Sequence, residues 1–214
     1  METAGDRLLR YAPATLRNRE PILAVLQRVL PEAGLLLEIA SGSGEHAAFI
    51  TPRLSSGWEW QPSELNPGAL ADIDAHASNS GCSRIRPAIV LDVCQPDWPV
   101  ASADAILCCN MIHIAPWQAA EGLFAGASRT LANTMPLILY GPFKRNGVHT
   151  APSNQSFDEG LRTRDSRWGV RCLETEMVPL ADKSGFALHE VMLMPANNLT
   201  IIFKRNSPVQ SVKA

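Results

Sequence analysis

The sequence predicts an α/β fold: an open, seven-stranded, mostly parallel sheet with helices on both faces and an antiparallel hairpin at its C-terminal end. Three observations predict it. Residues 35–47, LLLEIASGSGEHA, are an apolar run closed by a small-residue turn and followed by helical spacing, which reads as a strand buried on both faces, a tight turn and a helix. Apolar runs then alternate with amphipathic segments as far as residue 184. The last two apolar runs, FALHEVMLM and LTIIFK, are separated only by PANN, as a hairpin requires.

The chain length of 214 residues suits one domain with a full core, and no repeat or second-domain boundary interrupts it. A net charge of −2 gives no electrostatic reason to expect nucleic acid as the main ligand. No apolar run reaches the ~18 residues that a membrane span needs. The N-terminal METAGDRLLRYAP lacks the apolar centre of a signal peptide. The cysteines (Cys82, Cys94, Cys108, Cys109 and Cys172) are odd in number and form no C-x-x-C pair. The expectation is a reduced, cytoplasmic protein without a structural metal; oligomeric state is not readable. Residues 1–13 and 205–214 read as loosely ordered termini.

Taken in order, residues 14–30 carry apolar residues at helical spacing, with a break or fresh start near Pro21 and a stop at Pro31. The polar start of this helix places Arg17 and Asn18 beside the first strand's carboxyl end, where either side chain can reach over a bound ligand. After the first strand, residues 45–54 form a helix stopping near Pro52. The second strand covers residues 58–63, with Glu64 just past its end. A helix follows Pro67. The third strand covers 86–93 and ends in Asp92, with Val93 beside it. The fourth, residues 103–109, closes in Asn110-Met111-Ile112-His113, and a helix spans 117–131. The fifth strand, residues 135–143, ends in Tyr140-Gly141-Pro142-Phe143. Residues 144–170 are a long polar connection that reads as a lid or substrate loop containing a helix capped by Ser153 or Asn154. Its arginines suit a carboxylate-bearing acceptor. A last helix over 174–184, ended by Gly185, precedes the hairpin.

Ligands of open α/β sheets bind at the carboxyl ends of the strands. Two cofactors fit the glycine turn. Gly42-x-Gly44-x-x-Ala47 fits the dinucleotide fingerprint G-x-G-x-x-G/A, with Glu64 about 20 residues further on. The same stretch, acid-x-small-x-Gly-x-Gly from Glu38, resembles motif I of the class I methyltransferases that use S-adenosylmethionine (SAM), with Ala40 standing where the first glycine is usual. An acid after the second strand can accept both ribose hydroxyls with one carboxyl group. An acid after the third, here Asp92, matches the family position that accepts from the adenine amino group.

Together, LEIASGSGEHA, WQPSELN, LDV, NMIHIAPW and YGPFKRNGVHTAPSNQSFDEGLRTRDSRWG resemble a methyltransferase-like family still labelled by a domain-of-unknown-function number, with bacterial members and an animal relative. The resemblance runs over residues 10–204. It implies the Rossmann-like class I methyltransferase fold and SAM as cofactor, with S-adenosylhomocysteine (SAH) as product. It implies cofactor contacts from Glu38, Ala40, Gly42, Gly44, Glu64, Asp92, Val93 and Asn110, with Arg17 and Asn18 reaching over. His113 is the candidate general base, with Tyr140 the second catalytic candidate. His113, Tyr140, Phe143, Asn154, Arg164 and Trp168 are the candidate acceptor contacts. The expected activity is methyl transfer to a small-molecule acceptor, with neither nucleic acid nor membrane as partner. A nicotinamide-dependent oxidoreductase and a non-catalytic SAM-binding accessory protein are the alternatives.

Overall fold

The computed structural model describes residues 13–206. Of the termini expected to be loose, residues 1–12 and 207–214 lie outside the described residues. Pro13 opens the first helix, and Arg205 ends the last strand.

Helix α1 (Pro13–Val29) is continuous through Pro21, not broken there. A proline lacks only its own N–H, so the helix forgoes the single bond that residue 21 would give the Arg17 carbonyl. Burial of Ile22, Val25 and Leu26 holds it in place. The units that follow are strand β1 (Ala33–Ile39), helix α2 (Glu45–Ile50), strand β2 (Gly57–Glu64) and helix α3 (Leu70–Ser80). A 3-10 turn over Pro67–Ala69 leads into α3, and the Asn66 side chain caps that turn by accepting the Gly68 N–H at 3.0 Å.

Strand β3 (Ile89–Val90) is much shorter than the expected 86–93. It is a sheet edge, Pro87 has no N–H to give, and the Ala88 N–H goes to Asp74 instead, at 2.8 Å. Asp92 and Val93 therefore lie beyond the strand. Strand β4 (Ala105–Cys109), helix α4 (Trp117–Thr130) and strand β5 (Pro136–Gly141) complete the parallel part.

Helix α5 (Pro152–Arg164) lies inside the long polar connection. Its N-cap is Ala151, not Ser153 or Asn154, because Pro152 takes the first helical position with its φ preset. The helix expected over 174–184 has two parts. A π turn at Leu173–Met177 runs into α6 (Val178–Lys183), with the Met177 N–H reaching back to the Cys172 carbonyl at 3.1 Å. Pro179 cannot donate to the Thr175 carbonyl, and the ladder widens there. Strands β6 (Phe186–Met194) and β7 (Asn198–Arg205) form the predicted hairpin.

The sheet order is β3-β2-β1-β4-β5-β7-β6, parallel except for β7, which runs antiparallel to both β5 and β6. Alternate residues of each strand face opposite layers. Leu37, Ile39, Ile106, Leu139 and Phe203 pack on α4 and α6, while Leu36, Leu107 and Ile138 pack on α1 and α2. Phe124 of α4 meets Phe186 and Phe203 edge-on, at centroid distances of 5.7 and 5.3 Å. Among the described residues no helix is long and apolar enough to cross a membrane.

Candidate functional site

Chain direction reverses across β1 and β4: the chain runs outward to β2 and β3 on one side, and to β4 and β5 on the other. That crevice is where ligands of open α/β sheets bind. Ile39 of β1 pairs with Cys108 of β4, and Cys109 with Tyr140 of β5. The turn after Ile39, the turn after Cys109 and the end of β5 thus meet at one edge.

The first turn is built on left-handed backbone. Gly42 (φ +62°) and Gly44 (φ +87°) take it, and so does Ala40 (φ +56°). The residue that stands in for the usual first glycine therefore holds a conformation that favours glycine. The two glycines have separate reasons. A Cβ on Gly44 would sit 2.8 Å from the Ile73 Cα, so Gly44 lets α3 pack against the turn rather than admitting a ligand. A Cβ on Gly42 would meet nothing within 4 Å, so this backbone faces open space.

Glu38 does not reach that space. It is 1% exposed, and its carboxyl group is consumed by the protein: Oε2 accepts the Ser41 hydroxyl at 2.8 Å and the Trp60 indole N–H at 3.0 Å, and Oε1 lies 3.4 Å from His46 Nδ1. The expected cofactor contact is thus a buried post for the turn. Ser41 also joins the turn to β2, since its N–H donates to the Ser63 carbonyl at 2.8 Å and its Oγ accepts the Ser63 N–H at 3.1 Å. Ser41, His46, Trp60 and Ser63 were not singled out from the sequence. The serine and histidine inside SGSGEHA were the only hint.

Glu64 ends β2, half-buried. Its Oε2 accepts the Gly42 N–H at 2.9 Å and its Oε1 the Leu65 N–H at 2.8 Å. The carboxyl group is thus fixed against the glycine turn. Asp92 follows β3, next to Glu64 across the sheet, for the Leu91 N–H donates to the Glu64 carbonyl at 3.1 Å. Asp92 Oδ1 accepts the Cys94 N–H at 2.9 Å, which closes its own loop. Val93 turns into the core at 8% exposure.

On the other side of the switch point lies a cleft of about 840 Å³. Arg17 and Asn18 of α1, Asn110, Tyr140 and Asn154 line it, as do Ile114, Phe157 and the β6–β7 turn, which the sequence reading missed. Asn110 stands at φ +62°, just past β4. Asn154 is buried and donates to Thr150 Oγ1 and to the Asn197 carbonyl, both at 2.9 Å, which ties α5 to the hairpin turn. Asn18 Oδ1 lies 2.9 Å from His46 Nε2, so the wall of this cleft is linked through His46 to Glu38. Burial raises the Tyr140 pKa, as does nearby Cys109; Asn18 and Arg17 act the other way without reversing the shift, so Tyr140 is a neutral phenol.

His113 does not line the cleft. It is fully enclosed, its Nδ1 accepts the Arg171 N–H at 3.3 Å, its ring meets Phe143 edge-on at 4.7 Å, and its Nε2 has no hydrogen-bond partner. A Cβ on Gly141 would fall 2.5 Å from Nε2. Burial first, then the Arg171 guanidinium, pushes its pKa down to about 3. This is a neutral packing histidine, not a base open to a ligand. Phe143 is buried with it, and Arg164 (exposed) and Trp168 (half-buried) lie away from the cleft lining.

The polar connection grips this turn. The Gly169 N–H donates to the His113 carbonyl at 2.9 Å, and the Arg171 guanidinium donates to the carbonyls of Ile112 and Ala115 at 2.9 and 2.8 Å. Asp158 of α5 anchors the grip. It takes the Val170 N–H at 2.7 Å, Lys144 at 2.8 Å, and His149 and Arg162 at 3.2 Å. Burial alone would raise its pKa; hydrogen bonds from Lys144 and Val170 and the charges of Lys144 and Arg162 more than offset this and hold it low. Arg145 and Arg167 pair with Glu174 and Asp165. The arginines of this connection pair with its acids, bind backbone carbonyls or stand exposed, and none of them lines the cleft.

This sheet order with its closing hairpin is the class I methyltransferase fold. The chain is similar to the mitomycin 7-O-methyltransferase MmcR (TM-score 0.76, 16% identity, 90% of this chain and 54% of that one). It is also similar to an O-methyltransferase family protein from Burkholderia thailandensis (TM-score 0.75, 14% identity, 91% and 58%) and to CalO1, a methyltransferase of calicheamicin biosynthesis with SAH bound (TM-score 0.69, 15% identity, 88% and 54%). At such identities the likeness establishes the fold, and the chain spans little more than half the length of these proteins. The chain belongs to the family described as "Protein of unknown function (DUF938)", whose model matches residues 9–205.

Two predictions follow from the site's construction. Gly44→Ala is expected to destabilise the protein by roughly 2–4 kcal/mol, from strain plus the clash with α3, and Gly42→Ala by only about 1–2 kcal/mol, from strain alone. Urea unfolding of the two variants checks the order, and equal losses would contradict it. His113 has a folded pKa depressed to about 3. Its contribution is therefore complete above the unfolded value near 6.5 and is lost as pH falls toward the folded one. Between pH 7 and pH 5 this loss is about 2 kcal/mol. His113→Gln should flatten that slope in urea titrations. The ring resonances of His113 in the unaltered protein should stay those of neutral imidazole at pH 4.5, and protonation there would refute the assignment.

Proposed function

We propose that the chain is a SAM-dependent methyltransferase acting on a small-molecule acceptor. The observation that carries this reading is the placement of two different surfaces on either side of one switch point. On one side, Gly42 faces open space beneath Glu64, with Asp92 on the adjoining strand end. On the other is the cleft lined by Asn18, Asn110 and Tyr140. A nucleoside cofactor fits the first surface. Glu64 Oε1 accepts the Leu65 N–H at 2.8 Å and the Asn66 N–H at 3.5 Å, while Oε2 accepts only the Gly42 N–H and keeps a lone pair for a ribose hydroxyl. Gly42 lets the backbone lie close to the ligand. In this reading Asp92, whose Oδ1 accepts the Cys94 N–H and whose Oδ2 accepts from Gln95 at 3.3 Å, also accepts from the adenine amino group. The antiparallel β7 also favours this reading over a dinucleotide one, which has no need of it.

When bound, SAM supplies a methyl group already activated by its sulfonium, so no covalent enzyme intermediate is needed. The protein's task is alignment at near-attack distance and exclusion of water. Asn110 and Tyr140 stand at the ends of adjoining strands, beside the turn that would hold the cofactor. Phe157 and Ile114 offer apolar surface to the acceptor.

Calorimetry with SAM and SAH tests the reading, with micromolar-range binding expected. Binding of NADH without SAH would reverse it. Glu64→Ala is expected to weaken SAH binding by about 1–3 kcal/mol. An unchanged affinity would remove the ribose assignment.

A further inference from the structure

The cleft's charge and proton inventory constrains its acceptor. Among the described residues that line it, one side chain is ionised, Arg17; none is a carboxyl, a lysine or an imidazole. Arg17 is exposed there and makes no ion pair among the described residues. The nearby imidazoles are engaged elsewhere: His46 with Asn18 and Glu38, His149 with Asp158, and His113 enclosed against Gly141. Tyr140, raised by burial, keeps its proton at neutral pH and is a donor rather than a base. Apart from the Ser153 hydroxyl, the remaining lining is apolar (Ile114, Pro142, Phe157, Pro195) or amide, and Ile114 and Phe157 are 44% and 40% exposed.

The described lining of this cleft offers nothing with which to deprotonate an alcohol or an ammonium, and nothing to neutralise a cation. It has one guanidinium for an oxyanion, hydrogen-bond donors around it, and hydrocarbon walls. We propose that the acceptor is a small, largely apolar carboxylic acid, methylated on its carboxylate oxygen to give a methyl ester. The proposal rests on the methyl-transfer reading above and specifies its substrate class. A carboxylate is ionised at neutral pH without help. Its oxygen lone pair forms the O–CH₃ bond as the S–CH₃ bond of SAM breaks, and the departing electron pair stays on sulfur. The charges of carboxylate and sulfonium cancel, the products are ester and SAH, and no proton moves. Arg17 is then a binding residue for the acid, not a base.

The test uses the full chain saturated with SAH and a matched set of probes: phenylacetate, phenylpropionate and phenylbutyrate, with the amide and the amine of each carbon skeleton. Calorimetry or ligand-observed NMR is expected to show an acid bound at least about tenfold tighter than its amine or amide. The proposal moves Arg17 from the cofactor contact expected of it to the acceptor, so Arg17→Gln is expected to erase that preference while the affinity for SAH stays within about twofold. With SAM in place of SAH, mass spectrometry should find the methyl ester. An amine or amide bound as tightly as its acid overturns the proposal. So does methylation of the amine in preference to the acid, or an Arg17→Gln variant that loses SAH but keeps the acid. Failure to bind SAH at all would instead remove the methyl-transfer reading underneath, which separates the two.

Discussion

The buried carboxyl group of Glu38 is the constraint on which the working edge of the sheet depends. A polar group at this depth is costly unless its hydrogen bonds are made. Glu38 makes them to two elements, Ser41 of the turn and Trp60 of β2, and its Oε1 lies 3.4 Å from His46 Nδ1 of α2. Each partner is thereby fixed relative to the end of β1. Ser41 carries the constraint on to Ser63, so the turn cannot swing away from β2. His46 carries it the other way to Asn18, which stands in the cleft wall. One acid thus sets the shape of the glycine turn on one side of the switch point and the position of α1 on the other.

That arrangement explains what was legible in the sequence and what was not. The succession of strands along the chain and the hairpin followed from apolar runs and turn residues, because the β-period and the glycines are local signals; the order of the strands in the sheet is a tertiary fact. Glu38 was legible as a motif acid but not as a buried one: its fate depends on Trp60 and His46, which are distant in sequence and carry no pattern of their own. Gly42 and Gly44 looked alike, and only the approach of Ile73 separates the glycine that faces open space from the one that admits α3. The third strand was overestimated because edge position and the Ala88–Asp74 bond are tertiary facts. His113 had the right residue type at the right strand end, but segment 165–172 folds over it, and no local pattern announces such a cover.

That cover is a second organising device, and it belongs to the long connection after β5. Asp158 draws Lys144, His149, Arg162 and the Val170 N–H into one cluster. The cluster holds α5 against the segment whose Gly169 and Arg171 bind the turn after β4. Asn154 extends the same helix's hold to the β6–β7 turn. The cleft is therefore walled by elements that are fixed to one another by buried polar bonds rather than by a loop free in solvent. Its volume is defined by packing, which is what a site that works through alignment requires.

The enclosure of His113 and the composition of the cleft are two sides of one argument. A base beside the acceptor must stay solvated enough to take a proton near neutral pH. Burial of this imidazole gives that up and gains a neutral, closely packed post under Gly141 and Phe143. A fold that needed a base after β4 would pay for this burial with activity. An acceptor ionised on arrival, as proposed, would need no base here, and the position instead braces the ends of β4 and β5. Charge is divided between the two sides of the switch point: the Glu64 and Asp92 carboxyl groups stand on the glycine-turn side, and among the described residues lining the cleft Arg17 is the one guanidinium.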